Sequence, residues 1–160
     1  MKIFVVVGTL FAFDRLIGEM DKWAKKNPEV KIIAQIGKTG IAPENMTYHR
    51  KIEAKLFNEI YDQSDLIVSH AGMGVVLKAL MINKPIVILP RKLELNEHTT
   101  DHQMATTKAL DKKNLVHIAW ELEDLMKFLE EPQKIKSKTT ITEFAPEPII
   151  SNLSKYIASV

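Results

Sequence analysis

Apolar and polar positions alternate between two rhythms along this chain. Ile3-Phe4-Val5-Val6-Val7 is an unbroken, mostly β-branched run closed by Gly8-Thr9, the pattern of a strand covered on both faces. Leu16, Ile17, Met20 and Ala24 then recur at helical spacing behind Asp14, a candidate helix cap, until Asn27-Pro28 stops them. The same pair of signals repeats: a strand at Val30 to Ile36, a loop with Gly37, Gly40 and Pro43, and a helix marked by Leu56, Phe57, Ile60 and Tyr61. A strand at Leu66 to Ser69, a helix from Val75 to Leu80 and a strand at Pro85 to Pro90 follow. A helix from His98 to Leu110, a short strand at Leu115 to Ile118 and a helix from Leu122 to Leu129 complete the series. Strand and helix in strict alternation predict right-handed βαβ units and an α/β fold with a doubly wound parallel sheet. Ligands of such a sheet bind at the carboxyl ends of its strands.

Residues 131–148 carry three prolines and few large apolar side chains, so they read as a connector after a folded unit of residues 1–130. A last amphipathic helix, Ile149 to Ile157, shows Ile150, Leu153 and Ile157 as a narrow stripe suited to docking on this sheet or on another chain.

Composition narrows the chemistry. The 160 residues, 46% of them hydrophobic, suffice for one self-supporting core. Without cysteine there is no disulfide, thiolate metal site or thiol nucleophile, which suits a reducing cytoplasm. No apolar stretch reaches the ~18 residues of a membrane span, and the first strand begins too early for a signal peptide. The 22 basic and 20 acidic residues are spread evenly, which gives no electrostatic case for nucleic acid.

Candidate chemistry gathers at the strand ends. Ser69-His70-Ala71-Gly72-Met73-Gly74 follows a strand and opens a helix, a geometry that aims unpaired N–H groups and a positive dipole end at a phosphate. Its other reading is a tight turn with close helix packing and no ligand. It is no dinucleotide fingerprint, because Leu77 replaces the third glycine. Asn96, Glu97, His98, Asp101, His102 and Gln103, in the segment opened by Arg91, form a polar set that suits a polyhydroxylated ligand such as a sugar. Read alone, the same segment is a solvated loop with Asp101 as a cap. His98 and His102 have the i, i+4 spacing of a zinc pair, but no glutamate follows His98, and no metal is expected. Phe11, Phe13 and Trp23 read as packing residues.

Taken together, Ile3 to Thr9, Phe13 to Ile17, Asp65 to Gly74, Lys84 to Arg91, Asn96-Glu97-His98 and Asp101-His102-Gln103 resemble the glycosyltransferase family 28 C-terminal domain. This is the donor-binding, Rossmann-like C-terminal half of GT-B enzymes. The resemblance covers roughly residues 1–130 and is greatest to stand-alone versions of that half: the catalytic subunit of the dolichol-pathway N-acetylglucosaminyltransferase and bacterial exopolysaccharide and capsule counterparts. It implies a split, inverting, metal-free transferase without a cofactor, which takes a hexose from a UDP-sugar. A membrane-anchored partner subunit would supply the polyprenyl-linked acceptor and hold this chain at the cytoplasmic membrane face. Carried over by motif, Gly8 and Thr9 lie by the diphosphate, and Gly72, Met73 and Gly74 offer it N–H groups. Arg91 or His70 meets the charge of the leaving UDP, Asn96 belongs to the same binding block, and Asp101, His102 and Gln103 reach the sugar. The general base comes from the acceptor half, with Glu97 or His98 as the local candidates.

One position departs from the family pattern. Lys78 stands where members carry a glutamate that accepts from the ribose hydroxyls, and lysine has no acceptor. Either Glu94 or Glu97 takes over, or the donor is altered. The departure also keeps open a non-catalytic, stabilising subunit. A UDP-sugar epimerase or hydrolase on the same architecture is the remaining alternative.

Overall fold

The computed structural model describes residues 1–142, Phe144 and residues 147–159. Six parallel strands form one sheet in the order β3-β2-β1-β4-β5-β6. These are β1 (Lys2–Val6), β2 (Lys31–Gln35), β3 (Thr47–His49), β4 (Leu66–Ser69), β5 (Ile86–Ile88) and β6 (His117–Ile118). The helices are α1 (Asp14–Lys26), α2 (Ala54–Gln63), α3 (Met73–Met81), α4 (His102–Lys112), α5 (Leu122–Glu130) and α6 (Glu147–Ala158).

Both faces of the sheet are covered, which is why β1, β4 and β5 read as continuous apolar runs. Ile3, Val5 and Val7 point to a core shared with Leu16, Ile17 and Met20 of α1 and Leu125 and Leu129 of α5. Phe4 and Val6 point the other way, to Tyr61 of α2, Val76, Ala79 and Leu80 of α3 and Leu110 of α4. The winding reverses between β1 and β4, where Val6 pairs with Ser69, so the loops leaving these two strands part and open a crevice between them.

The structure corrects several sequence expectations. Asp14 is the first residue of α1 rather than its cap; Phe13 holds the cap position, and the Asp14 Oδ1 instead accepts the Ile41 N–H at 2.8 Å. That bond ties the start of α1 to the loop after β2. β3 lies in a stretch expected to be irregular. With three residues it is too short to display a period, and it exists because the edge of β2 offers it partners, such as Ile36 N–H to the His49 carbonyl at 3.0 Å. α4 begins at His102, not His98, because Asn96 adopts a left-handed conformation (φ 54°) after a single 3₁₀ turn at Leu93–Leu95.

Residues 131–142 lie along the domain and do not hang from it. Pro132 and Ile135 are buried, His117 Nε2 donates to the Lys136 carbonyl at 2.8 Å, and Ile141 N–H donates to the Leu80 carbonyl at 3.2 Å. α6 differs: none of its described residues is buried, and Ile149, Leu153 and Ile157 face solvent. Ile135→Ala is therefore expected to destabilise the fold by ~2–3 kcal/mol, whereas Leu153→Ala changes it by less than ~0.5 kcal/mol; urea denaturation of both variants checks this.

Candidate functional site

The crevice at the β1/β4 reversal is a cleft of about 240 Å³ lined by the Val7–Phe11 loop, His70, Gly72, Arg91, His98, His102 and Gln103. Two glycines make its floor. Gly8 has φ +79°, a conformation that side chains disfavour, and a Cβ there would lie 3.5 Å from the His70 ring. A Cβ on Gly72 would run into Nε2 of the same imidazole. The ring of His70 thus occupies the space that both glycines leave free.

His70 is held as a neutral base. Its Nδ1 lies 3.2 Å from the Val6 carbonyl, which can only accept, so Nδ1 carries the proton and Nε2 bears the lone pair. Burial keeps its pKa down at about 4, from an ordinary 6.5, against the opposing effect of that hydrogen bond; the nearby positive charge of Arg91 and His98 lower it further. Beside it, Gly72 caps α3, and the first intrahelical bond is Val76 N–H to the Gly72 carbonyl at 3.2 Å. The N–H groups of Met73, Gly74 and Val75 precede that bond, so they form the donor end of the helix.

Arg91 does not reach into the cleft as a free cation. It is only 2% exposed and lies over the Phe13 ring at 4.6 Å. Its NH2 donates to the carbonyls of Val7 (2.7 Å) and Phe11 (2.9 Å), while NH1 donates to those of Ala12 and Glu97. Burial lowers its pKa to about 10, so it remains charged at neutral pH beneath the cleft. Its main-chain N–H donates to Gln103 Oε1 at 3.2 Å, which orients that buried amide.

Glu97, a local candidate for the base, is already engaged. Its carboxylate takes Arg15 Nε at 2.6 Å and NH2 at 2.9 Å, and it accepts the Lys92 N–H at 2.9 Å. Both carboxylate oxygens are therefore already taken by donors within the protein. His98 remains in the cleft, its ring 5.1 Å from Phe11 and 4.4 Å from His102. Its Nδ1 accepts the Thr100 N–H at 3.2 Å, and Thr100 Oγ1 lies 2.6 Å from His102 Nδ1. Burial, His102 and Arg91 all lower the His98 pKa.

Not every expected residue comes together. Gly8, Thr9, His70, Gly72, Arg91, His98, His102 and Gln103 line the cleft; Asn96 and Asp101 are exposed and outside its lining. Met73 and Gly74 follow Gly72 as the first helical residues. Glu94 is exposed as well and, like Glu97, offers no free carboxylate at the cleft lining. Lys78 is turned away: its Nζ meets Asn58 Oδ1 at 2.5 Å and the Tyr61 ring at 4.6 Å, docking α3 on α2. Two residues were missed as site parts. Phe11 is a cleft wall rather than packing, and Arg15 is the partner of Glu97; neither pattern nor spacing signals such roles, which depend on loops meeting across the sheet. Among the described residues, no group of three or more His, Cys, Asp or Glu is placed to hold a metal ion, and no helix is long and apolar enough to cross a membrane.

The low His70 pKa sets a pH dependence. Because the unfolded ring binds its proton near 6.5 and the folded ring only near 4, stability from neutral His70 is complete above pH 6.5 and is lost as pH falls toward 4. Between about pH 7 and about pH 4.5 the protein is expected to lose up to ~3 kcal/mol more than its His70→Gln variant, read from urea midpoints at the two values.

Residues 2–150 match the profile of the glycosyltransferase family 28 C-terminal domain. The UDP-N-acetylglucosamine transferase subunit ALG13 of Homo sapiens is 30% identical over 125 residues, which is 69% of this chain but 10% of that protein's length. The solution structure of ALG13 superposes with TM-score 0.59 at 19% identity, covering 95% of this chain and 94% of that one. MurG of Acinetobacter baumannii superposes with TM-score 0.57 at 23% identity over 84% of this chain and 42% of its own. At these identities the two structures speak for the fold, a Rossmann-like sheet that makes up less than half of MurG. With the family profile spanning nearly its whole length, the chain belongs to the glycosyltransferase family 28 C-terminal domain family.

Proposed function

We propose that the chain is the donor-binding subunit of a UDP-sugar transferase whose acceptor half resides on a separate, membrane-anchored chain. The observation that carries this reading is the β1/β4 crevice, where Gly8, His70 and Gly72 clear a floor beside the donor end of α3. Unpaired N–H groups at a helix start favour a diphosphate, and they are pre-aligned for the charge that grows on UDP as it leaves. The buried Arg91 adds a fixed positive charge without direct contact. Gln103, His98 and His102 lie on the same cleft, in position for the sugar. Displacement at the anomeric carbon with inversion needs a base on the acceptor side. Glu97 is paired with Arg15, so the base belongs to the partner or to His98.

The reading also draws on the relative named as a UDP-N-acetylglucosamine transferase subunit, since a subunit implies an assembly. α6 supplies a docking element for it, because its apolar stripe is uncovered in this chain. A non-catalytic, stabilising subunit is the second reading. It is favoured by one observation: Lys78 is committed to α2, and among the described residues no carboxylate lines the cleft to accept from ribose.

Titration calorimetry with UDP on the purified chain separates the two, the first requiring saturable binding by millimolar UDP and the second none. Gly72→Ala is expected to lower UDP affinity ~10-fold or more, because the added methyl displaces the His70 ring. A thermal-shift screen of UDP-sugars then ranks donors, since a ligand held only by the folded state raises its melting temperature. Removing residues 147–160 is expected to weaken capture of the membrane subunit in co-expression by ~10-fold or more while leaving the melting temperature of the isolated chain within ~2 °C.

A further inference from the structure

Two arginines and one glutamate join three segments that are far apart in sequence. Arg15, on the first turn of α1, forks onto both carboxylate oxygens of Glu97 and donates through NH2 to the Pro90 carbonyl at 3.1 Å. Glu97 in turn accepts the Lys92 N–H, and its own carbonyl accepts from Arg91. Arg91 reaches the carbonyls of Val7, Phe11 and Ala12, on either side of the Gly8-Thr9 turn, and its N–H orients Gln103. The Arg15 and Glu97 side chains are 17% and 9% exposed, so the pair is shielded enough to hold its geometry. Through Arg91 the network reaches Val7, Phe11 and Gln103 on the walls of the cleft, yet neither Arg15 nor Glu97 lines it.

We infer that the Arg15–Glu97–Arg91 network is a clamp that fixes the distance between the Gly8-Thr9 turn and Gln103, making Arg15 and Glu97 positioning residues for a ligand that spans diphosphate and sugar. The inference rests on the donor-binding reading above and deepens it. A ligand that spans the turn and the sugar-side residues needs both at fixed separation; one that stops at the diphosphate does not. Loosening the clamp therefore weakens a UDP-sugar and spares UDP, whereas a merely structural role would weaken both or neither.

The test is calorimetry of UDP-N-acetylglucosamine and of UDP on the full chain and on Glu97→Gln, Arg15→Met and Arg15→Lys, each checked for folding by its thermal midpoint. Glu97→Gln and Arg15→Met are expected to lower UDP-N-acetylglucosamine affinity ~10-fold while changing UDP affinity by less than ~2-fold. Arg15→Lys, which keeps the charge but loses the two-pronged contact, falls between them and wild type. Should Glu97→Gln fail to fold, the two Arg15 variants decide. Folded variants that bind both nucleotides as wild type does, or lose both in proportion, overturn the clamp. Wild-type chain that binds no UDP overturns the donor-binding reading itself, and the clamp's ligand with it.

Discussion

A guanidinium charge taken out of water must be given partners on every side, and Arg91 obtains them from the main chain of the loop that follows β1. This requirement shapes the working edge of the sheet. In the loop from Val7 to Ala12, whose Val7 N–H still donates to the Gln35 carbonyl at 3.2 Å, the carbonyls of Val7, Phe11 and Ala12 are ordered by the arginine. Phe13 closes the underside of the ion, and Glu97 reaches it through its carbonyl while spending its carboxylate on Arg15. The polar segment after β5 is thereby pulled against the start of α1, and the cleft acquires two walls at a set separation.

The same arrangement explains the electrostatic character of the cleft. No carboxylate is among its lining residues; they are a glycine turn, three imidazoles, one amide and a buried cation. His70 is kept neutral by burial, against the pull of its bond to Val6, so it fills space and directs a lone pair without adding charge. Such a lining sets no negative side chain beside the donor end of α3, which favours an anion. Lys78, which by sign alone could have joined the anion site, is held on α2 by Asn58 and two aromatic rings.

Much of this was legible in the chain. Continuous apolar runs at residues 3–7, 66–68 and 86–89 announced buried parallel strands, because only a sheet covered on both faces dispenses with polar alternation. Gly8 and Gly72 were marked by their position after such runs, and the structure gives each the same neighbour, His70. What could not be read was whatever depended on a contact across the sheet. Glu97 looked like a free acid because its partner, Arg15, lies 82 residues earlier. Phe11 looked like core because exposure is not a property of a residue type. Residues 131–142 looked like a tether because a handful of contacts, Ile135 among them, anchor a segment whose composition carries no period.

The sequence by itself determined the alternation of elements, the two-sided core and the places where chain direction changes, since these follow from local propensity and from the spacing of apolar side chains. Tertiary structure alone decided which polar groups are spent on one another and which are left for a ligand. The reason is physical: hydrophobic burial is nearly additive along the chain and so leaves a pattern in it. Hydrogen bonds and ion pairs are short-ranged and saturable, and their partners are chosen only when the loops meet.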